Sequence, residues 1–342
     1  MKHIIKLLTF ILIISLAVTG ICISASALVI NEGDFSFEVN SSKYEAKLVG
    51  YSGDGGKVVL PESFRGYPVT VIDRNAFSGN KTITEVVLSD SNTTLEEYAF
   101  MNCTSLETVY IPESVVTIGD RAFADCTSLQ SVTMLSDIVS MPTNMFSGCS
   151  VLSNLTISEK IVDFGYGCFN NCASLTDLGF VSRAVIIESY AFNGTGAASV
   201  VLSDSLPAIP DNAFTNCPSL TSVTIPGSVV LIQPNAFDWE NVTIRCYPDS
   251  YAYEYAQENG ISYKLFDSYL LGDADGSGEV DIRDVTLIQK VRAGIKKDDN
   301  GTIAAAGDVS GDGELTIRDA TLIQMYIAKI SIPYNIGEVV FK

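Results

Sequence analysis

A phenylalanine recurs through the middle of the chain at intervals of 23 residues, with one interval of 22. Alanine precedes it in six of eight copies, and an apolar residue lies five positions before it. The pattern around each copy predicts a strand of alternating apolar and polar residues, a turn, a second short extended segment and a helical turn. Such a short unit cannot bury its own apolar face, so we predict a solenoid of stacked coils with one shared core. The eight phenylalanines are Phe77, Phe100, Phe123, Phe146, Phe169, Phe192, Phe214 and Phe237.

The two ends of a solenoid expose its core and need caps. Before the repeats, alternating apolar positions and the glycine-rich turn after Tyr51 predict an N-terminal hairpin cap. After them, Ser250 and Gly260 bracket a short helical pattern, as a serine N-cap and a glycine stop do. The tyrosines between them are expected to pack on the last coil, and a carbohydrate platform is the alternative. The predicted bounds are 28–57 for the N-terminal cap, 58–246 for the solenoid and 247–268 for the C-terminal cap.

Five cysteines share one repeat position, three residues after the phenylalanine: Cys103, Cys126, Cys149, Cys172 and Cys217. A secreted protein favours disulfides. However, equivalent Cβ atoms of adjacent coils lie nearly 5 Å apart, beyond the roughly 3.8 Å of a disulfide. We therefore predict buried thiols.

The outward residues of the predicted long strands form a candidate ligand surface. Most of them are small or hydroxylated, and only Tyr110 offers the aromatic anchor that a sugar or protein site uses. A solvated β face is the alternative. The outward positions are Val87, Tyr110, Thr133, Thr156, Gly179, Val201 and Thr224, flanked by Glu85, Thr108, Ser131, Asn154, Asp177, Ser199 and Ser222.

The first 27 residues predict a secretory signal peptide, with a signal anchor as the alternative. Basic residues precede an apolar run from Leu7 to Ile23, and Ala25-Ser-Ala27 follows it. Removal of this segment takes away Lys2 and Lys6 and no acid, so the net charge moves from −19 to −21. Such a surface repels phosphate backbones, and we predict no nucleic-acid partner.

The single histidine, His3, lies in the predicted signal segment, so the mature protein has none. This excludes histidine-dependent triads and histidine-ligated zinc from the mature protein. Glycosidase chemistry with paired carboxylates stays open. The acids of the coil turns keep the repeat register and no insertion builds a cleft, so we predict a protein without catalytic activity. These acids are Glu96, Glu97, Asp120, Asp125 and Asp211.

Two acidic segments of twelve residues lie near the C-terminus, from Asp273 to Asp284 (loop 1) and from Asp308 to Asp319 (loop 2). Oxygen ligands at positions 1, 3, 5, 7, 9 and 12, with glycine at position 6, form the cage that calcium prefers, so we predict two Ca²⁺ sites. Loop 1 offers four carboxylates and loop 2 offers three, with Thr316 at position 9, which predicts tighter binding at loop 1. The predicted ligands are Asp273, Asp275, Ser277, Glu279, Asp281 and Asp284 in loop 1, and Asp308, Ser310, Asp312, Glu314 and Asp319 in loop 2.

The residues that leave the two loops match at seven of eight positions at an offset of 35. Glycine directly precedes each loop, and position 12 is aspartate, whereas an ordinary EF-hand has a helix and a glutamate at these places. This duplicated half-EF-hand, over 269–334, resembles a type I dockerin. The resemblance implies calcium-dependent binding to a cohesin domain of a scaffold protein, and the near-identical halves suggest two opposite docking orientations. The residues expected at the cohesin interface are Ile282, Arg283, Gln289, Lys290, Ile317, Arg318, Gln324 and Met325.

The segment Ala122 to Leu129, with the pattern Ala-Phe-x-x-Cys-x-Ser-Leu, resembles the leucine-rich repeats of bacterial cell-surface proteins. The resemblance implies a secreted binding or adhesion protein. The expected fold is an α/β-type, strand-rich leucine-rich-repeat solenoid followed by a small all-α dockerin. Tyr269 and Leu271 before the dockerin, and Pro333 and Tyr334 after it, are candidates for a clasp between its ends, with a frayed flank as the alternative; residues 335–342 are a tail.

The two resemblances together imply a secreted component of a cellulosome-like complex. Its solenoid is expected to bind a protein, a cell or plant cell wall, in association with polysaccharide degradation. An enzyme or enzyme inhibitor acting on polysaccharide within the same complex is the alternative.

Overall fold

The computed structural model describes residues 28–248, 250–266, 268–275, 277, 279–298 and 301–341, so the predicted signal segment lies outside the described residues. The chain divides into two compact units, Met1–Val223 with Ser228–Val242, and Thr224–Gly227 with Thr243–Lys342. Among the described residues, no helix has both the length and the apolar character of a membrane span.

Besides one 3₁₀ helix, the described regular elements of the first unit are short strands joined by turns. Their bounds are β1 Ile30–Glu32, β2 Phe35–Asn40, β3 Glu45–Tyr51, β4 Gly56–Val59, β5 Ser63–Phe64, β6 Tyr67–Ile72, β7 Ile83–Val87, β8 Thr94–Leu95, β9 Thr108–Ile111, β10 Thr117–Ile118, β11 Ser131–Met134, β12 Ser140–Met141, β13 Asn154–Ile157, β14 Asp163–Phe164, β15 Ile186–Ile187, β16 Ser199–Val201, β17 Ala208–Ile209, β18 Ser222–Thr224 and β19 Leu231–Ile232.

The predicted N-terminal cap is confirmed as an antiparallel hairpin of β2 and β3, to which β1 adds a third strand. Strand β3 then pairs in parallel with β6, the first strand of the short-strand ladder of the repeats. The buried side chains of Phe37, Ala46 and Leu48 continue the core of the coils into this cap. The hairpin therefore covers the end of the core that the first coil would expose.

Two parallel ladders run through the solenoid. The long strands form the sheet β4–β7–β9–β11–β13, in which equivalent residues such as Val109, Val132 and Leu155 are aligned. The short strands pair on the other side, as in β6–β8–β10 and β12–β14–β15. Both segments of the predicted repeat are thus confirmed, and the phenylalanines lie in turns that join them.

The recurring phenylalanines form one continuous stack in the core. All seven consecutive ring pairs are stacked, with centroids 4.6 to 5.8 Å apart and planes within 14°. The backbone repeats with the rings: the N–H of Phe100 donates to the carbonyl of Ala122 at 2.8 Å, and that of Phe146 to Cys168 at 2.9 Å. Every coil therefore depends on its neighbours for both packing and hydrogen bonds.

The ladder cysteines are buried free thiols, as predicted. Each donates to the carbonyl of the phenylalanine in the preceding coil, for example Cys126 to Phe100 and Cys149 to Phe123, both at 3.2 Å. In the coil of Phe192, where threonine takes the place of the cysteine, Thr195 donates to the carbonyl of Phe192 in its own coil at 3.0 Å. The shared position thus supplies a side-chain donor to a buried backbone oxygen.

The sixth coil, which contains Phe192, departs from the prediction. A 3₁₀ helix, Gly179–Arg183, replaces the strand expected around Gly179, so the sheet of long strands ends at β13. Asp177 accepts a hydrogen bond from the N–H of Gly179 at 2.8 Å, which forms a local turn. Arg183 donates to the carbonyls of Ser158 and Ile161 at 3.1 Å. An arginine side chain therefore bonds to the preceding coil at a place where other coils use backbone.

The second unit contains the remaining elements: β20 Thr243–Cys246, α1 Tyr251–Glu258, β21 Tyr263–Leu265, β22 Ser268–Leu270, α2 Ile282–Arg292, α3 Thr302–Gly307, α4 Ile317–Ile327 and β23 Val339–Phe341. The predicted serine cap is confirmed, because the Ser250 side chain accepts from the N–H of Tyr253. Helices α2 and α4 pack around a small core that includes Val285, Ile288 and Ile323. This part is helical as predicted, with the two-stranded β22–β23 sheet in addition.

Candidate functional site

The two acidic loops end in the same local structure. Helices α2 and α4 each begin with a capping box, made by Asp281 with Asp284 and by Thr316 with Asp319. The position-12 carboxylate of each loop is buried. Asp284 accepts from the N–H of Asp275 at 3.0 Å and of Asp281 at 2.7 Å. This carboxylate therefore fastens the loop to the first turn of its helix.

Loop 2 repeats this arrangement with additional neutral donors. Asp319 accepts from the N–H of Ser310 at 3.0 Å and of Thr316 at 2.8 Å, and from the Thr316 hydroxyl at 2.9 Å. Asp308 accepts from the N–H of Gly311 at 2.9 Å and of Gly313 at 2.8 Å. Hydrogen bonds thus hold both the first and the last carboxylate of loop 2.

Loop 1 brings three carboxylates together. Oxygen atoms of Asp273, Asp275 and Asp284 all lie within 4.8 Å of one another, and Asp273 and Asp284 are buried. Ser277, at position 5, donates its N–H to Asp273 at 2.9 Å and to Asp275 at 3.0 Å. Gathered hard oxygen donors of this kind fit Ca²⁺. The glycine predicted at position 6, Gly278, lies outside the described residues.

The predicted ligands at positions 7 and 9 of loop 1, and at positions 5 and 7 of loop 2, have different exposure and different hydrogen-bond partners. The side chains of Glu279 and Glu314 are exposed, so position 7 offers its backbone carbonyl, as in an EF-hand. Asp281 is bound to the guanidinium of Arg283 at 2.8 Å. Asp312 accepts from the N–H of Glu314 at 3.0 Å.

The pKa values of the two position-12 carboxyl groups are shifted in opposite directions. Burial raises the pKa of Asp284, and the carboxylates of Asp275 and Asp273 add to this effect. Burial alone would raise the pKa of Asp319 as well, but hydrogen bonds from Thr316 and Ser310 hold its pKa below the ordinary value. The contrast follows from positions 3 and 9, where loop 1 has Asp275 and Asp281 and loop 2 has the hydroxyl residues Ser310 and Thr316, whose side chains also donate to Asp319.

The predicted docking residues lie at the start and along one side of the two helices. Ile282 is 58% exposed and its counterpart Ile317 is 59% exposed, values unusually high for isoleucine and nearly identical. Gln289, Lys290 and Gln324 are exposed, whereas Met325 is half-buried. The two halves thus present the same apolar residue at the same position, as two docking orientations would require.

The two docking arginines have different partners. Arg283 is paired with Asp281 at 2.7 Å. Arg318 has no aspartate at loop position 9 and donates instead to the hydroxyl of Tyr334 at 3.0 Å. The halves are therefore not interchangeable in every detail.

The ends of the module meet near Tyr269 and Leu271, where a clasp was a candidate, but they do so through backbone pairing with the segment 339–341, which was predicted to be a tail, and not with Pro333 and Tyr334. Ser268 to Leu270 pair with Val339 to Phe341, and the N–H of Leu271 donates to the carbonyl of Glu338 at 2.8 Å. Ile336 is buried in the helical core, so residues beyond 334 contribute to this fold. The short apolar run Val339 to Phe341 was the only sequence signal for this strand.

Three of the five acids that we considered for catalysis, Glu97, Asp120 and Asp211, form bonds between coils. Asp120 accepts from the N–H of Thr143 at 3.1 Å, and Asp211 from that of Asn235 at 3.3 Å. Glu97 is paired with Arg74. These contacts occupy repeated turn positions and gather no catalytic pair.

Two family models match the chain. The BspA type leucine rich repeat region matches in six copies, over residues 70–195 and 164–256, which is more than half of the chain. The dockerin type I domain matches residues 271–328. The protein is therefore a leucine-rich-repeat solenoid joined to a calcium-loop module. The chain belongs to the BspA type leucine rich repeat family and carries a type I dockerin domain.

Several solved structures are similar to the solenoid. A leucine rich cell surface protein from Faecalibacterium prausnitzii has 21% identity, covering 71% of this chain and 96% of that one, with a TM-score of 0.36. The leucine rich repeat protein of T. pallidum has 19% identity, covering 69% and 97%, with a TM-score of 0.36. One from Eubacterium ventriosum has 23% identity, covering 62% and 50%, with a TM-score of 0.44. No curated protein matches the chain.

The matches support a coarse account of function. Type I dockerin domains bind calcium, and a dockerin implies a cohesin partner in a cellulosome-like context. The leucine-rich repeats support protein binding, with an unspecified ligand. Both domains are of non-catalytic types.

Proposed function

We propose that this protein is a non-catalytic, secreted component that docks on a cohesin-bearing scaffold through two calcium sites and binds its target through the solenoid. The observation that supports docking most directly is the pair of matched loops and helices, with Ile282 and Ile317 equally exposed. The dockerin and the repeat family favour an extracellular or cell-surface location. Association with polysaccharide degradation, and with plant cell wall as one target, is part of this proposal.

The calcium sites would be held by the chain's own oxygen atoms. In loop 1 these are the carboxylates of Asp273, Asp275 and Asp284; in loop 2 they are those of Asp308 and Asp319 with the hydroxyl of Ser310. Bound Ca²⁺ supplies the positive charge that offsets the gathered carboxylates. The same position-12 carboxylates fix the first turns of α2 and α4, and these turns carry the Ile/Arg pairs that would meet the cohesin.

Docking is tested with the full mature chain and each purified cohesin module of the producing organism, in calcium and in chelator. We expect a cohesin that binds only in calcium, and loss of that binding in the double variant Asp273→Ala/Asp308→Ala. A matched control, Glu113→Ala/Asp204→Ala, removes two exposed acids from solenoid turns and should bind normally. Cohesin binding retained by the loop variant would contradict the proposal.

A further inference from the structure

A row of exposed aliphatic side chains follows the short strands of the solenoid. Each coil has two outward residues between the core positions of this segment. The first of the two is Thr70, Thr93, Val116, Val139, Val162, Val185, Pro207 or Val230. We call the five valines the valine row. Val116, Val139 and Val230 are 57%, 53% and 66% exposed, and backbone hydrogen bonds link Val139, Val162 and Val185 in adjacent coils.

The fold does not require valine at this position. In the first two coils threonine occupies it, and the hydroxyl of Thr93 donates to the carbonyl of Thr70 at 3.3 Å. Threonine and valine both have high strand propensity. Strand formation alone therefore does not explain why a solvent-exposed position should be valine and not threonine. The later coils therefore expose apolar surface where the same backbone accepts a hydroxyl.

Neighbouring residues widen this apolar surface. Ile186 and Leu231, the second outward residues of their coils, are also exposed. Tyr166 and Tyr190 are exposed in the adjoining turns, with ring centroids 5.4 Å apart and planes tilted by 51°. Rings tilted against each other do not form a flat platform for a sugar, but tyrosine beside aliphatic residues is typical of the centre of a protein interface.

Acidic residues border the valine row on both sides. Basic residues are fewer in these segments: Lys160 is paired with Asp137 at 2.6 Å, Arg183 is bound to backbone carbonyls, and Arg121 is exposed beside Asp120. A second copy of this acidic chain, or an anionic membrane, would meet carboxylates with negative charge. The bordering acids are Glu113, Asp137, Glu159 and Asp204 in the turns before the row, and Asp120, Asp163, Glu188 and Asp211 within or after it.

We propose that the valine row is a docking surface for a protein that presents aliphatic side chains bordered by lysine and arginine. This inference rests on protein binding by the solenoid, and it assigns that binding to the short-strand side rather than to the long-strand face. Apolar contact at the centre and opposite charge at the rim are complementary to such a partner.

The test uses the full mature chain in calcium and a fluorescent amphipathic helical peptide of leucine and lysine, with a scrambled peptide of the same composition. The row variant is Val116→Thr/Val139→Thr/Val185→Thr/Val230→Thr. The control variant changes three valines of the long-strand face, Val59→Thr/Val87→Thr/Val201→Thr, of which Val59 and Val201 are exposed and Val87 is half-buried. Both keep the net charge and the β-branched shape. We expect the dissociation constant to rise at least tenfold in the row variant, to change less than twofold in the control, and to rise with salt.

Three outcomes would overturn the inference: no binding by the wild-type chain, equal binding of the scrambled peptide, or equal affinity of the row variant. If the control variant alone loses binding, the inference fails but protein binding by the solenoid stands. Cohesin docking, measured on the same variants, reports separately on the dockerin. An unchanged thermal unfolding midpoint shows that the row variant is folded.

Discussion

The solenoid and the dockerin both arise from repeated sequence, but they repeat opposite kinds of residue. The solenoid repeats phenylalanine, and each added coil extends one ring stack. The dockerin repeats aspartate, and loop 1 gathers three carboxylates within 4.8 Å. Repeated apolar residues stabilise a fold without a ligand, whereas repeated like charges repel unless a cation offsets them. Duplication is therefore expected to give a solenoid that is stable without a ligand and a dockerin whose stability depends on calcium.

The largest expected effect tests whether the phenylalanine stack stabilises the solenoid without a contribution from calcium. Phe146→Ala removes a fully buried ring from the middle of the stack, and we expect a loss of about 3–5 kcal/mol in the free energy of unfolding. Urea unfolding followed by far-UV circular dichroism measures the loss. Calcium titration of the same variant should match the wild type, and a weakened calcium response would show that the two units are not independent.

Calcium removal tests whether the stability of the dockerin depends on the ion. At a calcium concentration 100-fold above the dissociation constant, binding should stabilise the dockerin by about 2.7 kcal/mol. Hydrogen exchange is expected to speed up in α2 and α4 on chelation and to stay unchanged in β9 and β11. Equal protection of α2 and α4 with and without calcium would contradict the dependence on the ion.

The two loops allow a finer test, because they differ at position 3. Asp275→Ser should lower the calcium affinity of loop 1, and Ser310→Asp should raise that of loop 2, each by roughly tenfold, or about 1.4 kcal/mol. Isothermal titration calorimetry of both variants resolves the change. If the two substitutions shift affinity in the same direction, ligand charge does not determine the difference between the loops.

The smallest expected effect concerns the thiol ladder. Burial raises the pKa of the Cys149 thiol to about 12, so this thiol should resist labelling at pH 8 until the protein unfolds. Cys149→Thr keeps a donor, as Thr195 does in its coil, whereas Cys149→Ala loses a hydrogen bond of about 1 kcal/mol. Thiol titration of native and denatured protein, with urea midpoints of both variants, gives the comparison.

The same thiol predicts a pH dependence. The folded state keeps its proton above the pH at which the unfolded thiol ionises, near 8.5, so stability should fall as pH rises from there toward the folded pKa. Each such thiol contributes up to about 1.4 kcal/mol per pH unit in that window. Cys149→Thr should reduce this slope, and an identical slope in both proteins would contradict it.

The sequence predicted the features that rest on regular spacing or on short-range chemistry. The phenylalanine interval indicated the core, and Ser250 and the position-12 aspartates were correctly placed at helix starts. The 3₁₀ helix at Gly179–Arg183 was missed because a local Asp177 turn competes with the strand. The β22–β23 pair joins segments about 70 residues apart, and no local pattern encodes such a contact. The valine row was overlooked because valine in a short strand is ordinary until its exposure is known.

The interrupted sixth coil has a consequence for how the solenoid responds to heat and to mechanical load. In a linear array each interface contributes its own share of cooperativity, so the weakest interface decides where the array divides. At this coil the backbone ladder of long strands stops, while the ring stack continues across it with Phe169 and Phe192 5.8 Å apart. Heat or a mechanical load should therefore separate the solenoid there into two blocks that melt one after the other.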